Sequence, residues 1–345
     1  MSAPDYPHPN PPAPAAAIEV APGVHWVRMA LPFQLDHINL WLLEDGTPEQ
    51  PGWTLVDTGL GNEATRALWE TIFAEKIGGR PVLRVLVTHY HPDHAGNAAW
   101  LCERFGVALW MTRGEYLTVH AARQGAAGYS TASQIALFRA NGLDEAHGNA
   151  LLKRGDLYRM LVPDFPFSHR RLFDGEQIPI GGRSWRVMVG YGHAPEHVSL
   201  YCEALNVLIS GDMLLPRIST NVAVRPVDPQ SNPLRLFLDS IRRYRALPAD
   251  LLVLPSHGLP FRGAHARIAQ LEAHHDERLE ELQAACAASP RTAAEVLEVL
   301  FRRKLDDNQI FFAMGEAIAH LHYLYYAGRL ARTVGADGAA RFAPA

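Results

Sequence analysis

The stretch from Val82 to Gly96 constrains the fold of this chain more than any other, because it joins an apolar run to a cluster of histidines. The run Val82–Val87 is rich in β-branched residues and too short for a helix, which predicts a buried strand. Pro92 cannot donate a backbone hydrogen bond and favours an extended conformation at His91, so the histidines are expected in a loop after the strand. Helical character begins at Ala95. The predicted order is therefore strand, polar loop and helix.

The loop concentrates side chains that can bind a metal ion, since His89, His91, Asp93 and His94 occur within six residues. Successive side chains of an extended backbone point to opposite faces, so His89 and His91 can converge on one side. Asp93 and His94 follow the bend and can face a second point nearby. Imidazole and carboxylate ligands suit zinc, iron or manganese. Because one ion cannot easily take four ligands from so short a loop, the pattern predicts two metal ions.

The pattern H-x-H-x-D-H after a buried strand resembles the signature of the metallo-β-lactamase fold superfamily of metal-dependent hydrolases. The resemblance implies an α/β fold, a four-layer αββα sandwich with both sheets inside. It also implies three further metal ligands downstream, each at the end of a strand. The sequence offers one candidate in each of these places: His193, Asp212 and His257.

The resemblance also implies how the ligands divide between the two ions. His89, His91 and His193 would bind the first ion, and Asp93, His94 and His257 the second, while Asp212 would bridge them. Two divalent ions, zinc first with iron and manganese as alternatives, lower the pKa of a shared water from about 15.7 towards 7. The resulting hydroxide attacks an acyl carbon or a phosphorus, and the ions stabilise the oxyanion that develops.

Three other roles are expected around the ligands. Asp93 could orient the nucleophile as well as bind metal. Asp57 lies in an Asp-Thr-Gly loop after another strand, where its carboxylate could orient a histidine ligand or the His89 loop, or merely stabilise the turn. His197 starts the strand after His193 and is interpreted as a supporting or structural residue, not a ligand.

Composition divides the chain into three predicted regions. Residues 1–17 are dominated by proline and alanine and are expected to form a disordered tail. Residues 18–288 form the metallo-β-lactamase-like domain, interrupted at about 112–170 by helical sequence that we interpret as an inserted lid. Residues 289–345, which include the capping box Thr292-x-x-Glu295, resemble the winged-helix-like tail of a subgroup of this superfamily, and the resemblance implies a separate C-terminal module.

Charge and cysteine content bear on location and partners. The net charge of −4 argues against a nucleic-acid binder held mainly by phosphate contacts, although a local basic patch remains compatible with it. Three widely spaced cysteines predict no disulfide framework and favour a reducing compartment. The first seventeen residues lack the pattern of a secretory signal, and no apolar stretch is long enough to span a bilayer. We therefore expect a cytoplasmic protein with a small-molecule substrate and no membrane partner.

Three substrate classes stay open. The first is a small-molecule acyl substrate such as a thioester or lactone. The second is RNA, cleaved by an endoribonuclease or phosphodiesterase, because the C-terminal module resembles that of a subgroup with β-lactamase-like endoribonucleases. The third is the substrate of an iron-dependent oxidoreductase with the same fold. The helix expected at Gly315–Tyr326 carries tyrosines, histidines and aliphatics rather than lysine and arginine, which suits a packed core, a homodimer contact or a channel wall. The acyl hydrolase is therefore the leading hypothesis.

Overall fold

The chain contains both strands and helices in a computed structural model that describes residues 4–126, 128–153, 155 and 157–345. The strands are β1 (Ala17–Ala21), β2 (Val24–Ala30), β3 (His37–Gly46), β4 (Pro51–Val56), β5 (Val82–Leu86), β6 (Leu109–Met111), β7 (His169–Arg171), β8 (Gln177–Ile180), β9 (Arg183–Gly190), β10 (His197–Cys202), β11 (Val207–Gly211), β12 (Leu252–Pro255), β13 (Leu330–Val334) and β14 (Ala340–Pro344). The α-helices are α1 (Glu63–Ile72), α2 (Pro92–Ala95), α3 (Ala98–Phe105), α4 (Arg113–Arg123), α5 (Thr131–Arg139), α6 (Glu145–Lys153), α7 (Tyr158–Leu161), α8 (Pro233–Arg242), α9 (Ala264–Ala288), α10 (Leu297–Leu300) and α11 (Asp307–Tyr326). Short 3-10 turns lie at Arg243–Ala246 and Ala294–Val296, and a π turn at Phe73–Ile77.

Two sheets form the framework that carries the candidate site. The first has seven strands in the order β1 to β7, antiparallel from β1 to β4 and parallel from β4 to β7. The second has five strands in the order β12-β11-β10-β9-β8, of which β11 and β12 run parallel. Strands with carboxyl ends at the same edge bring the loops that follow them together.

The two sheets pack face to face, and β3 shows why its sequence is apolar almost throughout. Trp41 and Leu43 point into the layer between the sheets, where they meet Trp185 and Val187 of β9. Side chains alternate along a strand, so Leu42 points to the opposite face, which helices cover. A strand buried on both faces has no solvent side that would require polar residues.

Helices cover the outer faces of both sheets. Trp69 of α1 and Leu101 of α3 join the apolar cluster on the outer face of the first sheet. On the second sheet, the Tyr244 hydroxyl in the 3-10 turn lies 2.7 Å from the Ser199 hydroxyl of β10. Ser199 alternates with Leu200, which faces the interior of the sandwich. The predicted α/β class and the two sheets flanked by helices are thus confirmed.

The N-terminal segment differs from the expectation of a disordered tail. Asp5 exchanges two backbone hydrogen bonds with Arg262, at 3.2 and 2.8 Å. The His8 Nε2 lies 3.1 Å from the Val20 carbonyl oxygen. Proline fixes φ, so a proline-rich segment loses less conformational entropy on docking than its composition suggests. The first three residues lie outside the described part of the chain.

The chain divides into two compact units, each built from three segments that are separate in sequence. The first contains residues 1–123, 158–220 and 240–268, and so holds both large sheets. The second contains residues 124–157, 221–239 and 269–345. The segment predicted as an inserted lid is therefore shared, with α4 and α7 in the first unit and α5 and α6 in the second. The predicted boundaries at residues 18, 288 and 289 stay a prediction, and so does the lid role.

In the second unit, the C-terminal segment has the expected winged-helix-like order of helices followed by a hairpin. The helix α11 is its core, with Met314, Ile318 and Leu321 fully buried. The predicted capping box forms, since the Glu295 carboxylate accepts from the Thr292 backbone N–H at 2.8 Å and the Thr292 hydroxyl accepts from the Glu295 N–H at 3.2 Å. Among the described residues, no helix has both the length and the apolar character needed to cross a bilayer.

Candidate metal centre

Ligand-type side chains follow the ends of four strands in the first unit. The loop after β5 carries His89 and His91 and leads into the single turn α2, which carries Asp93 and His94. The loops after β9, β11 and β12 carry the remaining three: His193, Asp212 and His257. The structure brings all seven together in two adjoining groups.

The first group contains three imidazoles and one carboxylate. The His89 Nε2 lies 2.9 Å from the His91 Nδ1 and 3.2 Å from the His193 Nε2. One oxygen of Asp212, Oδ2, lies 3.3 Å from the His193 Nε2 and 3.9 Å from the His89 Nε2. All four ligand atoms lie within 4.8 Å of one another.

The second group is formed by Asp93, His94 and His257. The Asp93 Oδ2 lies 3.6 Å from the His94 Nε2 and 3.5 Å from the His257 Nε2. The other oxygen of Asp212, Oδ1, lies 3.5 Å from the His94 Nε2 and 3.3 Å from the His257 Nε2. Asp212 thus turns one oxygen to each group, as a carboxylate that bridges two ions would.

The spacing and the unmet bonding needs of these atoms fit metal ions. Ligand atoms about 2.1 Å from a tetrahedral ion lie about 3.4 Å from one another, close to the separations found here. The His94 Nε2 and the Asp212 Oδ1 are buried and make no hydrogen bond to any residue that the structure describes. Buried acceptors without donors are costly unless a cation satisfies them. The donor set therefore fits two divalent ions.

Hydrogen bonds fix the tautomers of two ligand histidines. The His94 Nδ1 donates to the Asp57 Oδ2 at 2.8 Å, which leaves its Nε2 lone pair facing the second group. The His257 Nδ1 donates to the His37 carbonyl oxygen at 2.8 Å, with the same consequence for its own Nε2. Such outer partners orient metal ligands and raise their basicity.

Asp57 and Thr88 connect the ligand loop to the neighbouring strand end. The Asp57 Oδ1 accepts from the Thr88 backbone N–H at 2.8 Å, and its Oδ2 accepts from the Thr88 hydroxyl at 2.9 Å. The same hydroxyl lies 3.1 Å from the His89 Nδ1. Asp57 therefore contacts a ligand directly and holds the loop that carries the others.

His197 supports the bridging carboxylate from behind. Its Nε2 accepts from the Asp212 backbone N–H at 3.1 Å, and its ring centroid lies 4.7 Å from that of His89. A Cβ atom on Gly211 would come within 2.4 Å of this ring, so only glycine fits beside it. His197 is thus a neighbour of the ligands and stands outside both groups.

The surroundings shift the pKa values of two ligand histidines, His89 and His94, in opposite directions. Burial and the nearby His94 and His91 hold the pKa of His89 well below its usual value. Burial would also lower the pKa of His94, but the carboxylates of Asp57, Asp93 and Asp212 outweigh it and raise that pKa well above normal. Carboxylates that favour a charged histidine also favour a bound cation.

Sequence reasoning missed part of the surroundings of the ligands. The Thr88 hydroxyl, the His37 carbonyl and the Glu115 carboxylate all contact the ligand loops, and none belongs to a recognisable motif. The only sequence signal for Thr88 was its position at the end of the apolar run, directly before the first ligand candidate. The binding of metal by all seven candidates stays a prediction.

Comparison with known families gives two matches that together cover most of the chain. Residues 35–257, from before β3 to the last ligand candidate, match the model of the metallo-beta-lactamase superfamily. Residues 279–345 match the model of the metallo-beta-lactamase-like C-terminal domain.

Similar proteins agree with these matches over nearly the whole chain. A beta-lactamase domain protein from Burkholderia ambifaria is 52% identical, with a TM-score of 0.92 over 99% of this chain and 98% of that one. The metallo-beta-lactamase family protein TTHA1429 from Thermus thermophilus is 31% identical, with a TM-score of 0.79 over 95% of this chain and 100% of that one. The probable metallo-hydrolase YqjP from Bacillus subtilis is 26% identical over 306 residues, 86% of this chain and 91% of that protein.

Proposed function

Because the chain belongs to the metallo-beta-lactamase superfamily and is a metal-dependent hydrolase, we propose that it hydrolyses an acyl bond in a small molecule such as a thioester or a lactone. The observation that carries the proposal is Asp212, whose two oxygens face two separate groups of ligand atoms. A bridging carboxylate requires two adjacent ions, and two adjacent ions are suited to activating one water between them.

In this proposal each ligand has the place that its geometry suggests. His89, His91 and His193 would hold one ion, Asp93, His94 and His257 would hold the other, and Asp212 would contact both. When bound, two such ions lower the pKa of a shared water towards 7 and polarise the acyl carbonyl. Water adds to the acyl carbon, the C–S or C–O bond breaks, and the departing sulfur or oxygen takes a proton.

Asp93 is proposed to act on the attacking water as well as to hold an ion. Its side chain is 17% exposed, whereas those of His94 and His257 are almost fully buried. A carboxylate on the solvent side of the ligand group can accept a hydrogen bond from the water and orient it. Asp57 has no access to substrate and is proposed to act only through His94 and Thr88.

Zinc is the proposed metal, with iron and manganese as the alternatives that the ligands permit. Histidine nitrogens and carboxylate oxygens at tetrahedral spacing suit zinc, but all three metals accept such ligands. We also propose a reducing, cytoplasmic setting, which is supported by the three free and buried cysteines: Cys102, Cys202 and Cys286.

Apolar side chains next to the ligand loops support an acyl substrate. Tyr191 lies two residues before His193 and is 40% exposed, and Ile218 lies six residues after Asp212 and is 49% exposed. Phe33, in the segment that leads into β3, is 50% exposed. Exposed apolar residues this close in sequence to the ligand residues favour a substrate with an apolar portion.

The RNA hypothesis has less support. A recognition helix would need exposed cations to contact phosphates. The helix α11 contains neither lysine nor arginine, and its Ile318, Leu321 and His322 are buried. The small-molecule hypothesis is therefore favoured over the nuclease hypothesis. The oxidoreductase hypothesis would require iron as the bound metal, which elemental analysis of the protein would detect.

A substrate panel on the metal-loaded protein tests the proposal. Acyl thioesters, lactones, β-lactams and RNA would be offered, with free thiol or acid measured for the first three and strand cleavage for the last. Release of thiol or ring-opened acid with intact RNA is the expected result. Cleavage of RNA with no acyl hydrolysis would overturn the proposal.

His91→Ala provides the control for metal dependence. Removal of this first-group ligand should lower turnover by more than about 100-fold, since the ion loses one of its protein ligands. His147→Ala, on the surface of α6 with a 44% exposed side chain, should leave turnover unchanged. If His91→Ala kept full activity without bound metal, a non-enzymatic or metal-independent role would have to replace this proposal.

A further inference from the structure

One buried carboxylate, Glu115 of α4, connects the two loops that carry the three imidazoles of the first ligand group. It has no solvent exposure. Its Oε2 accepts from the Tyr90 backbone N–H at 2.9 Å, and its Oε1 accepts from the Glu196 backbone N–H at 2.5 Å. Both oxygens are therefore bonded to the main chain of loops that are far apart in sequence.

The two backbone groups that Glu115 binds stand next to ligand residues. Tyr90 lies between His89 and His91, and Glu196 lies three residues after His193. His89, His91 and His193 supply every imidazole of the first group. A shift of either loop against the other would change the separations of 2.9 and 3.2 Å that these nitrogens now have.

The start of α4 is fixed to the same loop by a reciprocal set of bonds. The Glu196 carboxylate accepts from the Gly114 backbone N–H at 2.7 Å, and the Thr112 hydroxyl donates to the Glu196 carbonyl at 2.9 Å. A Cβ atom on Gly114 would come within 2.9 Å of the Glu196 carboxyl carbon. Glu115 is therefore held at a set distance from the loop that it binds.

The Tyr90 peptide is anchored on its other side as well. The Tyr158 hydroxyl of α7 donates to the Tyr90 carbonyl oxygen, so the N–H and the C=O of this residue both have partners. The backbone between the two histidine ligands is thus fixed from two helices.

Burying a carboxylate carries a free-energy cost that needs a reason. Burial raises the pKa of Glu115, and the Glu196 and Tyr90 N–H groups oppose the shift because they favour the ionised carboxylate. An apolar residue at this position would avoid the cost. Costly polar groups of this kind are expected where they position a functional site.

We propose that Glu115 is a positioning residue that holds His89, His91 and His193 at the spacing one metal ion requires. The inference rests on the proposed function for the identity of the ligands. Glu115 is fully buried and its two oxygens bond the Tyr90 and Glu196 backbone, so it acts on the ligands through these two loops.

Glu115→Gln in the full chain tests the proposal. The amide keeps the volume but has one acceptor oxygen, and its NH2 group would face a backbone N–H, so one of the two loops is released. Competition between the protein and a chelator for Zn²⁺ should show affinity about 10- to 100-fold weaker than wild type. The visible spectrum of the Co²⁺ form should also change, because the ligand geometry is altered.

Asp45→Asn is the matched control. Asp45 is also a buried carboxylate that joins distant segments, since its Oδ1 accepts from the Gly46 and Gly181 backbone N–H groups at 2.8 and 3.0 Å. It contacts no ligand loop. The control should lower the melting temperature and leave Zn²⁺ affinity unchanged. Equal loss of affinity in both variants would mean that Glu115 acts only through general stability, and would overturn the proposal.

Two further outcomes separate this inference from the proposed function. If wild type fails to bind Zn²⁺, iron or manganese, the proposed function fails and this inference with it. If wild type binds metal and Glu115→Gln binds it equally well, only this inference fails. Should Glu115→Gln not fold, Tyr158→Phe removes just the hydroxyl that donates to Tyr90, and a few-fold weaker Zn²⁺ binding is expected; unchanged binding would contradict the proposal.

Discussion

At the residue scale, Asp57 shows how one side chain can serve both the backbone and a ligand. It is buried and has a φ of +62°, a left-handed conformation that aspartate and asparagine adopt more readily than most residues. That conformation turns its carboxylate towards the Thr88 N–H and the His94 Nδ1 at the same time. Position 57 therefore needs a residue that tolerates the left-handed backbone conformation and has two acceptor oxygens.

Asp57→Asn separates these two requirements. Asparagine tolerates the left-handed backbone, but its NH2 group cannot accept the proton of the His94 Nδ1, so His94 loses its orientation. We expect metal affinity of the second group to fall by about 10- to 100-fold, while the first group keeps its ion. Counting metal ions per chain after dialysis against a graded chelator series checks this. Retention of both ions at wild-type chelator concentrations would show that Asp57 serves the turn alone.

The ligand candidates could be predicted from sequence because each carries a local signal. His89 and His91 follow an apolar strand directly, and Asp212 follows another. Thr88 and Glu115 carry no such signal. A threonine at a strand end and a glutamate in a helix are ordinary residues, and only the folded chain places the Thr88 hydroxyl beside His89 or the Glu115 carboxylate beside Tyr90.

At the element scale, the one-turn helix α2 depends on a close approach of two glycines. Its C-cap is Gly96, and a Cβ atom there would lie 2.3 Å from the Gly61 backbone nitrogen and 2.6 Å from the Gly59 carbonyl oxygen. The turn after β4 thus packs directly against the helix that carries Asp93 and His94. Only a residue without a side chain allows this contact.

Gly96→Ala should displace α2 and weaken the second ligand group. The methyl group meets backbone atoms that cannot move aside without shifting the Asp57 turn, so a loss of stability of about 1–3 kcal/mol is expected. Thermal unfolding of the metal-free protein measures that loss, and chelator competition measures the accompanying fall in metal affinity. Unchanged metal binding in a folded variant would show that α2 tolerates the shift.

Gly106→Ala is the comparison for this change. Gly106 ends α3 with a φ of +65°, and a Cβ atom there would meet nothing within 4 Å. Its replacement by alanine should cost about 1 kcal/mol through the left-handed backbone alone, without an effect on metal affinity. Comparison of Gly96→Ala with Gly106→Ala therefore distinguishes the effect of displacing α2 from the effect of backbone strain at a helix end.

Helices whose ends are marked by capping residues, glycine or proline could be predicted from sequence. Helix boundaries that depend on tertiary contacts could not. The helix α9 starts directly after Gly263 and ends directly before Ser289-Pro290, and the predicted capping box at Thr292 forms. By contrast, helix was expected only from Ala95, whereas the chain forms a first short helix, α2, at Pro92–Ala95 before α3 begins at Ala98. Asp93 and His94 therefore lie in a helical turn, because the Gly96 contact sets the break.

At the scale of the whole molecule, the second unit has a polar network in its interior. The His320 Nδ1 donates to the Glu316 carbonyl at 2.8 Å, so its Nε2 is the acceptor for the His275 Nδ1 at 3.1 Å. The Glu316 carboxylate accepts from the Asn221 amide at 3.3 Å. The two histidines belong to α9 and α11, which are far apart in sequence, so no local pattern could predict their pairing.

This network makes the stability of the chain depend on pH. Burial, with the charges of neighbouring His274 and Arg278, lowers the pKa of His320 to about 4, and burial lowers that of His275 to about 2. Between about pH 4 and 6.5 the unfolded chain binds protons that the folded pair does not, so stability falls as the pH falls. Glu316, whose pKa burial raises to about 7, has the opposite effect between about pH 4.5 and 7 and offsets one histidine.

His320→Gln should therefore flatten the acid limb of the stability curve. As the pH falls from about 6.5 to 4.5, the free energy of unfolding of wild type should drop by about 1 kcal/mol per pH unit more than that of the variant. The reason is that the variant takes up one proton fewer when it unfolds. Urea unfolding of metal-free protein across that range measures both slopes, and the metal-ligand histidines titrate in both proteins and cancel in the difference. His147→Gln, on the exposed face of α6, should keep the wild-type slope. Parallel curves for wild type and His320→Gln would show that the buried pair is not what makes the folded chain sensitive to acid.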